Sequence, residues 1–157
     1  MDDLLIDVLS ETGLARWVIG SPFIWPTLES IHFASLCVLA GSILVIDLRL
    51  IGFFRTPCEN LVTQLIRLAC IAFFVNLITG LLFFTGNTIK YVGNPAFELK
   101  MVMILFAGFN AIYYKLRLSN IVTGTSVTWN SRLVGYLSLV LWTGVIICGR
   151  MITFYAY

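Results

Sequence analysis

The chain has 157 residues, 59% of them hydrophobic and only 11% charged, with a mean hydropathy of +0.95. Soluble domains carry about 25% charged residues, so this composition excludes a soluble globular protein and intrinsic disorder and leaves an integral membrane protein. The formal net charge of +2 marks no basic surface, and no nucleic acid is expected as a partner.

The opening stretch, 3–19, sets Leu4, Leu5, Val8, Leu14, Trp17 and Val18 among Asp3, Asp7, Glu11 and Arg16. That spacing predicts an amphipathic helix lying on the membrane surface, or equally a plain lead-in to the first span. It has neither the basic start nor the small-residue cleavage site of a secretory signal, and it is read as part of the mature protein.

A hydrocarbon core about 30 Å thick is crossed by roughly 20 apolar helical residues. Four runs meet that length, over about 23–46, 62–86, 95–117 and 132–155. The first is uncharged after Glu29, and the second carries no charge from Leu68 to Gly86. The third has Glu98 and Lys100 in its first turn, and the fourth is uncharged from Leu133 to Gly149 before meeting Arg150. The runs are continuous rather than alternating, which predicts helices and not barrel strands. Pro22 and Pro26 suit the start of helix one, Pro57 a turn before helix two, Asn94-Pro95 the start of helix three, and Asn130 or Ser131 the cap of helix four. The expected fold is therefore all-α: one transmembrane domain, 1–157, forming a four-helix bundle in a lipid bilayer with an N-terminal interfacial helix.

Alternate crossings put both termini and the joint between helices two and three on one side. The other side collects Arg49, Arg55, Arg67, Lys115, Arg117 and Arg132 against Asp47 and Glu59. The terminal side has Arg16, Lys90, Lys100 and Arg150 against six carboxylates, Asp2, Asp3, Asp7, Glu11, Glu29 and Glu98. Short loops rich in Lys and Arg stay in the cytoplasm, so both termini are expected to be periplasmic in a bacterial inner membrane. Cys37, Cys58, Cys70 and Cys148 have no paired spacing and read as separate thiols.

Polar groups in hydrocarbon are costly unless paired, so each is a question about function. Glu29 and His32, the sole histidine, lie three residues apart on one helical face. Ser35, Ser42 and Arg49 continue that face at intervals of seven, a narrow seam that must face other helices. Asn76, Thr79 and Asn110 are expected to bridge helices, and Trp17, Trp25, Tyr91 and Trp129 to sit at the interface. At 1.5 Å per residue His32 lies roughly 13 Å into helix one and Arg49 about 25 Å beyond it, so the two cannot share a site. Lys100 and Arg150 can approach the depth of His32.

A histidine, a carboxylate and two cations in one half of the bundle suit a bound anion with a metal centre, such as haem b. Iron takes an imidazole and the propionates take Lys or Arg. His32 is then the axial ligand, Lys100 a second ligand or propionate partner, Arg150 a propionate partner, and Glu29 the group that orients the ring. Gly41, Gly80, Gly108 and Gly144 place one glycine inside each helix, either for close packing or to leave room for a flat ring. The alternatives are copper handling through His32, Cys148 and Met151, interhelical bonding alone, and a structural or accessory subunit of a larger membrane complex. No catalytic triad, phosphate loop or zinc spacing is present.

Glu29-Ser-Ile-His32, Gly41-Ser-Ile, Ile46-Asp-Leu-Arg49, Gly93-Asn-Pro-Ala-Phe-Glu-Leu-Lys100 and Trp142-Thr-Gly-Val-Ile-Ile-Cys-Gly-Arg150 together resemble a family of small uncharacterised bacterial four-helix membrane proteins. The resemblance spans nearly all of the chain beyond about residue 20. More distantly, the helix-one histidine and the lysine opening helix three resemble the bacterial membrane protoporphyrinogen oxidases and the copper-resistance D proteins. Carried onto this chain, the oxidases' functional pair is His32 and Lys100, and haem b is the implied cofactor. The Trp-Phe-Ala-Gly-type step that follows the histidine in the oxidases is replaced here by Ser35-Leu-Cys-Val-Leu-Ala-Gly41-Ser. The expected function is a haem-dependent membrane cytochrome or oxidoreductase. A bundle of four helices barely encloses a macrocycle, so self-association is also expected.

Overall fold

The computed structural model describes residues 13–53, 59–118 and 128–155. The first part of the expected interfacial helix, the turn at Pro57 with Arg55 and Cys58, and most of the loop before Trp129 lie outside those residues. The described chain is helical, with no strand: α1 (Gly13–Gly20), α2 (Ile24–Ile51), α3 (Glu59–Gly86), α4 (Thr88–Tyr91), α5 (Pro95–Tyr113) and α6 (Trp129–Met151). A π-helical turn, Tyr114–Leu118, continues α5. Four of these helices are long and apolar enough to cross a membrane, with window hydropathies of 2.1, 2.2, 1.4 and 1.7 in chain order.

Helix one is longer than its apolar run. With 28 residues it rises roughly 42 Å, more than the hydrocarbon needs, because backbone hydrogen bonding continues through Asp47-Leu48-Arg49 where hydropathy has already fallen. Gly52 ends it in the left-handed region at φ 95°. Its N–H bonds to the carbonyl of Arg49 at 3.0 Å and that of Phe53 to the carbonyl of Leu48 at 2.9 Å, the paired bonds of a Schellman stop that glycine allows without strain. Helix three opens as expected: the Asn94 side chain accepts from the N–H groups of Ala96 and Phe97, with Pro95 in the first turn. Helix four is capped by Thr128, whose hydroxyl accepts from Ser131 N–H, and not by Asn130 or Ser131. Ser131 is already inside the first turn, and its hydroxyl lies 2.7 Å from the carbonyl of Thr128 and 3.2 Å from that of Leu50 on α2.

In the bundle α2 and α6 are the inner helices. Helix α2 packs on α3 and on α6, and α5 packs on α6, so the spatial order is α3, α2, α6, α5. The outer members α3 and α5 meet at the terminal end, where Phe84 stacks on Phe97 at 5.6 Å and Tyr91 closes on both. Ala15 and Val18 of α1 are fully buried, whereas Trp17 and Ile19 on the same short helix are exposed. A Cβ at Gly86 would fall 2.9 Å from Val18 and 3.2 Å from Trp25, so glycine there is what lets α1 close on α3. Large apolar side chains such as Phe74, Ile78, Phe106 and Phe109 are exposed on α3 and α5. Lipid tails make that arrangement favourable where water would not.

Candidate functional site

His32 lies on α2 and faces α3. Its Nδ1 is 2.7 Å from the hydroxyl of Thr79. Thr79 is buried, and its hydroxyl also lies 2.8 Å from the carbonyl of Val75 and 3.2 Å from that of Asn76. A hydroxyl has one hydrogen. Where that hydrogen goes back to its own helix, Thr79 offers lone pairs and the ring proton sits on Nδ1; where it goes to the ring, Nδ1 accepts it and the proton sits on Nε2. In the first of these tautomers the lone pair of His32 is on Nε2.

One turn further along the same seam, Ser35 donates to the carbonyl of His32 at 3.0 Å and accepts from Asn76 Nδ2 at 2.8 Å. Asn76 also donates to the carbonyl of Ala72. His32, Ser35, Asn76 and Thr79 thus form one hydrogen-bonded network between α2 and α3. The spacing 76 to 79 repeats the spacing 32 to 35, so antiparallel helices bring the two pairs into register. Asn110 bridges as its position predicts, donating to the carbonyl of Val134 at 3.1 Å.

The ring sits among apolar and small neighbours. Phe83 meets it edge to face with centroids 5.5 Å apart, and Trp25 tilts against Phe83 at 5.1 Å. Gly80 adjoins the ring edge: a Cβ there would stand 4.0 Å from His32 Cε1. The other three mid-helix glycines differ in role. Gly144 accommodates the thioether of Met103, and Gly41 and Gly108 face open space. Gly80 is the one that borders the histidine.

Lys100, from α5, is half-buried and lies against α6, its Nζ 3.4 Å from where a Cβ of Gly149 would be. Electrostatics couple it to His32 and to Cys148. The structure therefore brings His32, Lys100 and Cys148 to one level. Glu29 and Arg150 are exposed. Glu29 acts electrostatically on Tyr91, whose phenol is pushed above its ordinary pKa of 10.0 first by burial and then by that carboxylate. Met151 is also exposed while Cys148 is buried, so the two sulfurs do not share one environment. Among the described residues no three or more His, Cys, Asp and Glu side chains gather as a metal-holding group.

Thr79 is the site residue whose part the sequence did not reveal. It stood out only as a bridging polar group, and the signal was its spacing from Asn76 matched to that of Ser35 from His32. Asp47 was a second omission. It counted as an interfacial charge, yet it is 97% buried, being only 3% exposed. The signal was its place inside the run Ile43-Leu-Val-Ile-Asp47-Leu.

Fold and site together define a polytopic helical membrane protein with a polar layer built around a single imidazole. The chain belongs to DUF6644, a family of unknown function, which matches residues 18–155. No curated protein and no solved structure matches it.

Proposed function

We propose that this protein is a membrane haem b protein that transfers electrons, or a closely related oxidoreductase, with His32 as axial ligand through Nε2. The observation that carries the reading is the Thr79 contact. It anchors the ring from the Nδ1 side, as partners of metal-bound histidines do, and in the Nδ1–H tautomer leaves the lone pair of Nε2 for a metal. The orienting part expected of Glu29 is thereby filled by Thr79. Gly80 keeps the edge of the ring free of a side chain, and Phe83 and Trp25 keep the surroundings apolar. Bound haem would supply a one-electron iron couple. Lys100 would hold one propionate from the interior side and Arg150 the other from the exposed edge. The distant likeness of the histidine and lysine positions to the membrane protoporphyrinogen oxidases favours the same pair. Porphyrinogen oxidation is not part of the proposal, because the segment after the histidine differs. The excess of Lys and Arg at the end opposite the termini favours a cytoplasmic membrane with both termini periplasmic.

Copper handling has less support, since Met151 is exposed and only His32 and Cys148 remain near Lys100. The exposed apolar faces of α3 and α5 favour, as a second reading, an accessory subunit seated in a larger complex. The visible spectrum of the protein purified in mild detergent decides among these. A Soret band in the wild type that is absent in His32→Ala is expected. No band, or one unchanged in His32→Ala, overturns the haem reading. Stoichiometric copper without porphyrin would replace it with the copper reading, and loss of a partner complex on deletion with no cofactor bound would favour the subunit.

A further inference from the structure

The other end of the bundle holds a second polar group that the histidine site does not use. Asp47 is only 3% exposed, in the seam between α2 and α6. The buried hydroxyl of Ser138 on α6 is the polar group that acts on its carboxyl. The remaining oxygen, Oδ2, is buried with no hydrogen-bond partner among the described residues. The surroundings are tight and apolar. A Cβ at Gly135 would come 3.0 Å from the backbone oxygen of Asp47 and 3.1 Å from Leu50, and Leu50, Val134, Ile46 and Ile66 pack together beside it.

The groups facing Asp47 come from each neighbouring element. Helix α6 supplies Ser138, and helix α3 packs there through Ile66. The π-helical turn supplies the buried phenol of Tyr114, which senses both Asp47 and Arg49 electrostatically. Arg49, two positions along α2, is the charged group that Tyr114 senses together with Asp47. A carboxylate solvated by one hydroxyl in hydrocarbon is costly. A carboxylic acid in the same place is not, because the proton removes the charge. Carboxyls so placed within spans mark proton pathways.

We propose that Asp47 is a proton-binding site: its carboxyl, held by Ser138 between α2 and α6, takes up and releases a proton on the side of the membrane opposite the termini. The step is a simple exchange, an O–H bond formed at Oδ2 on uptake and broken on release to water, with no redox partner. It is independent of any cofactor at His32.

Infrared difference spectroscopy of the full chain in lipid nanodiscs tests it. The expected result is the C=O stretching band of a protonated carboxylic acid near neutral pH that disappears as the pH is raised. The band is expected to be absent in Asp47→Asn, retained at a shifted frequency in Asp47→Glu, and moved to higher frequency in Ser138→Ala, where the carboxyl loses the neighbouring hydroxyl. Asn is neutral and the same shape, so Asp47→Asn is expected to fold with unchanged thermal stability. No such band in the wild type, a band that survives in Asp47→Asn, or a band that never responds to pH would each overturn the proposal.

Discussion

Both ends of this bundle bury polar groups in an apolar medium, and they do so differently. Between α2 and α3, His32, Ser35, Asn76 and Thr79 bond to one another and to carbonyls of their own helices. Between α2 and α6, Ser131 reaches the carbonyl of Leu50 at 3.2 Å and Ser138 acts on Asp47, but one carboxyl oxygen has no partner among the described residues. The first arrangement holds a ring in one orientation through the Thr79 contact at Nδ1. The second keeps one group uncommitted and relies on close backbone approach at Gly135. A hydrogen-bonded network suits a positioned ligand, and an unsatisfied acid suits a group whose charge changes.

The two glycines that border these seams give the largest contrast. At Gly135 the obstacle to a Cβ is backbone that cannot swing away, whereas at Gly80 the nearest atom is 4.0 Å off. Gly135→Ala is expected to lower stability by about 1–3 kcal/mol, and Gly80→Ala to leave it unchanged or raise it by up to about 1 kcal/mol through helix propensity. Thermal unfolding in one detergent checks both, and equal effects would erase the distinction between the seams.

Next in size is Thr79→Val, which keeps the shape and removes the hydroxyl partner of Nδ1. Stability is expected to fall by roughly 1 kcal/mol. Haem affinity, if His32 is the ligand, is expected to fall roughly 10- to 100-fold in a titration of the apoprotein. A loss of stability with undiminished haem binding would break the link between the network and the ligand. Ser131→Ala removes the bond to Leu50 and is expected to cost about 0.5–1.5 kcal/mol in the same unfolding assay, with no change at the His32 end.

The smallest effect concerns Tyr91, outside the spans. Its folded pKa is raised above 10.0 by burial and by Glu29. Its contribution to stability is therefore complete below the unfolded value and is lost as the pH rises through the folded one. Glu29→Gln is expected to lower the midpoint of tyrosinate absorbance toward 10.0, and an unmoved midpoint would remove Glu29 from the account.

The expectation at Asn94-Pro95 succeeded because a cap and its first turn are adjacent in the chain, and neither needs a partner helix to be recognised. The cap of α6 was misplaced by two or three residues because Thr128, Asn130 and Ser131 are all competent caps, and only the seat of Ser131 against Leu50 separates them. Asp47 was misread for the opposite reason. A carboxylate beside an arginine looks interfacial in the sequence, and its burial follows from α6 presenting Ser138 and Gly135 to it.

The sequence by itself determined four membrane-length helices and the interruptions between them, because hydropathy and capping are sums over neighbouring residues. It also singled out His32 as the sole imidazole in an apolar run. The tertiary structure decided that α2 and α6 are the inner helices, that Thr79 holds the ring at Nδ1, and that Asp47 is enclosed. These depend on which helices are neighbours and how each is rotated, and in a chain that is apolar on nearly every face no local pattern encodes that choice.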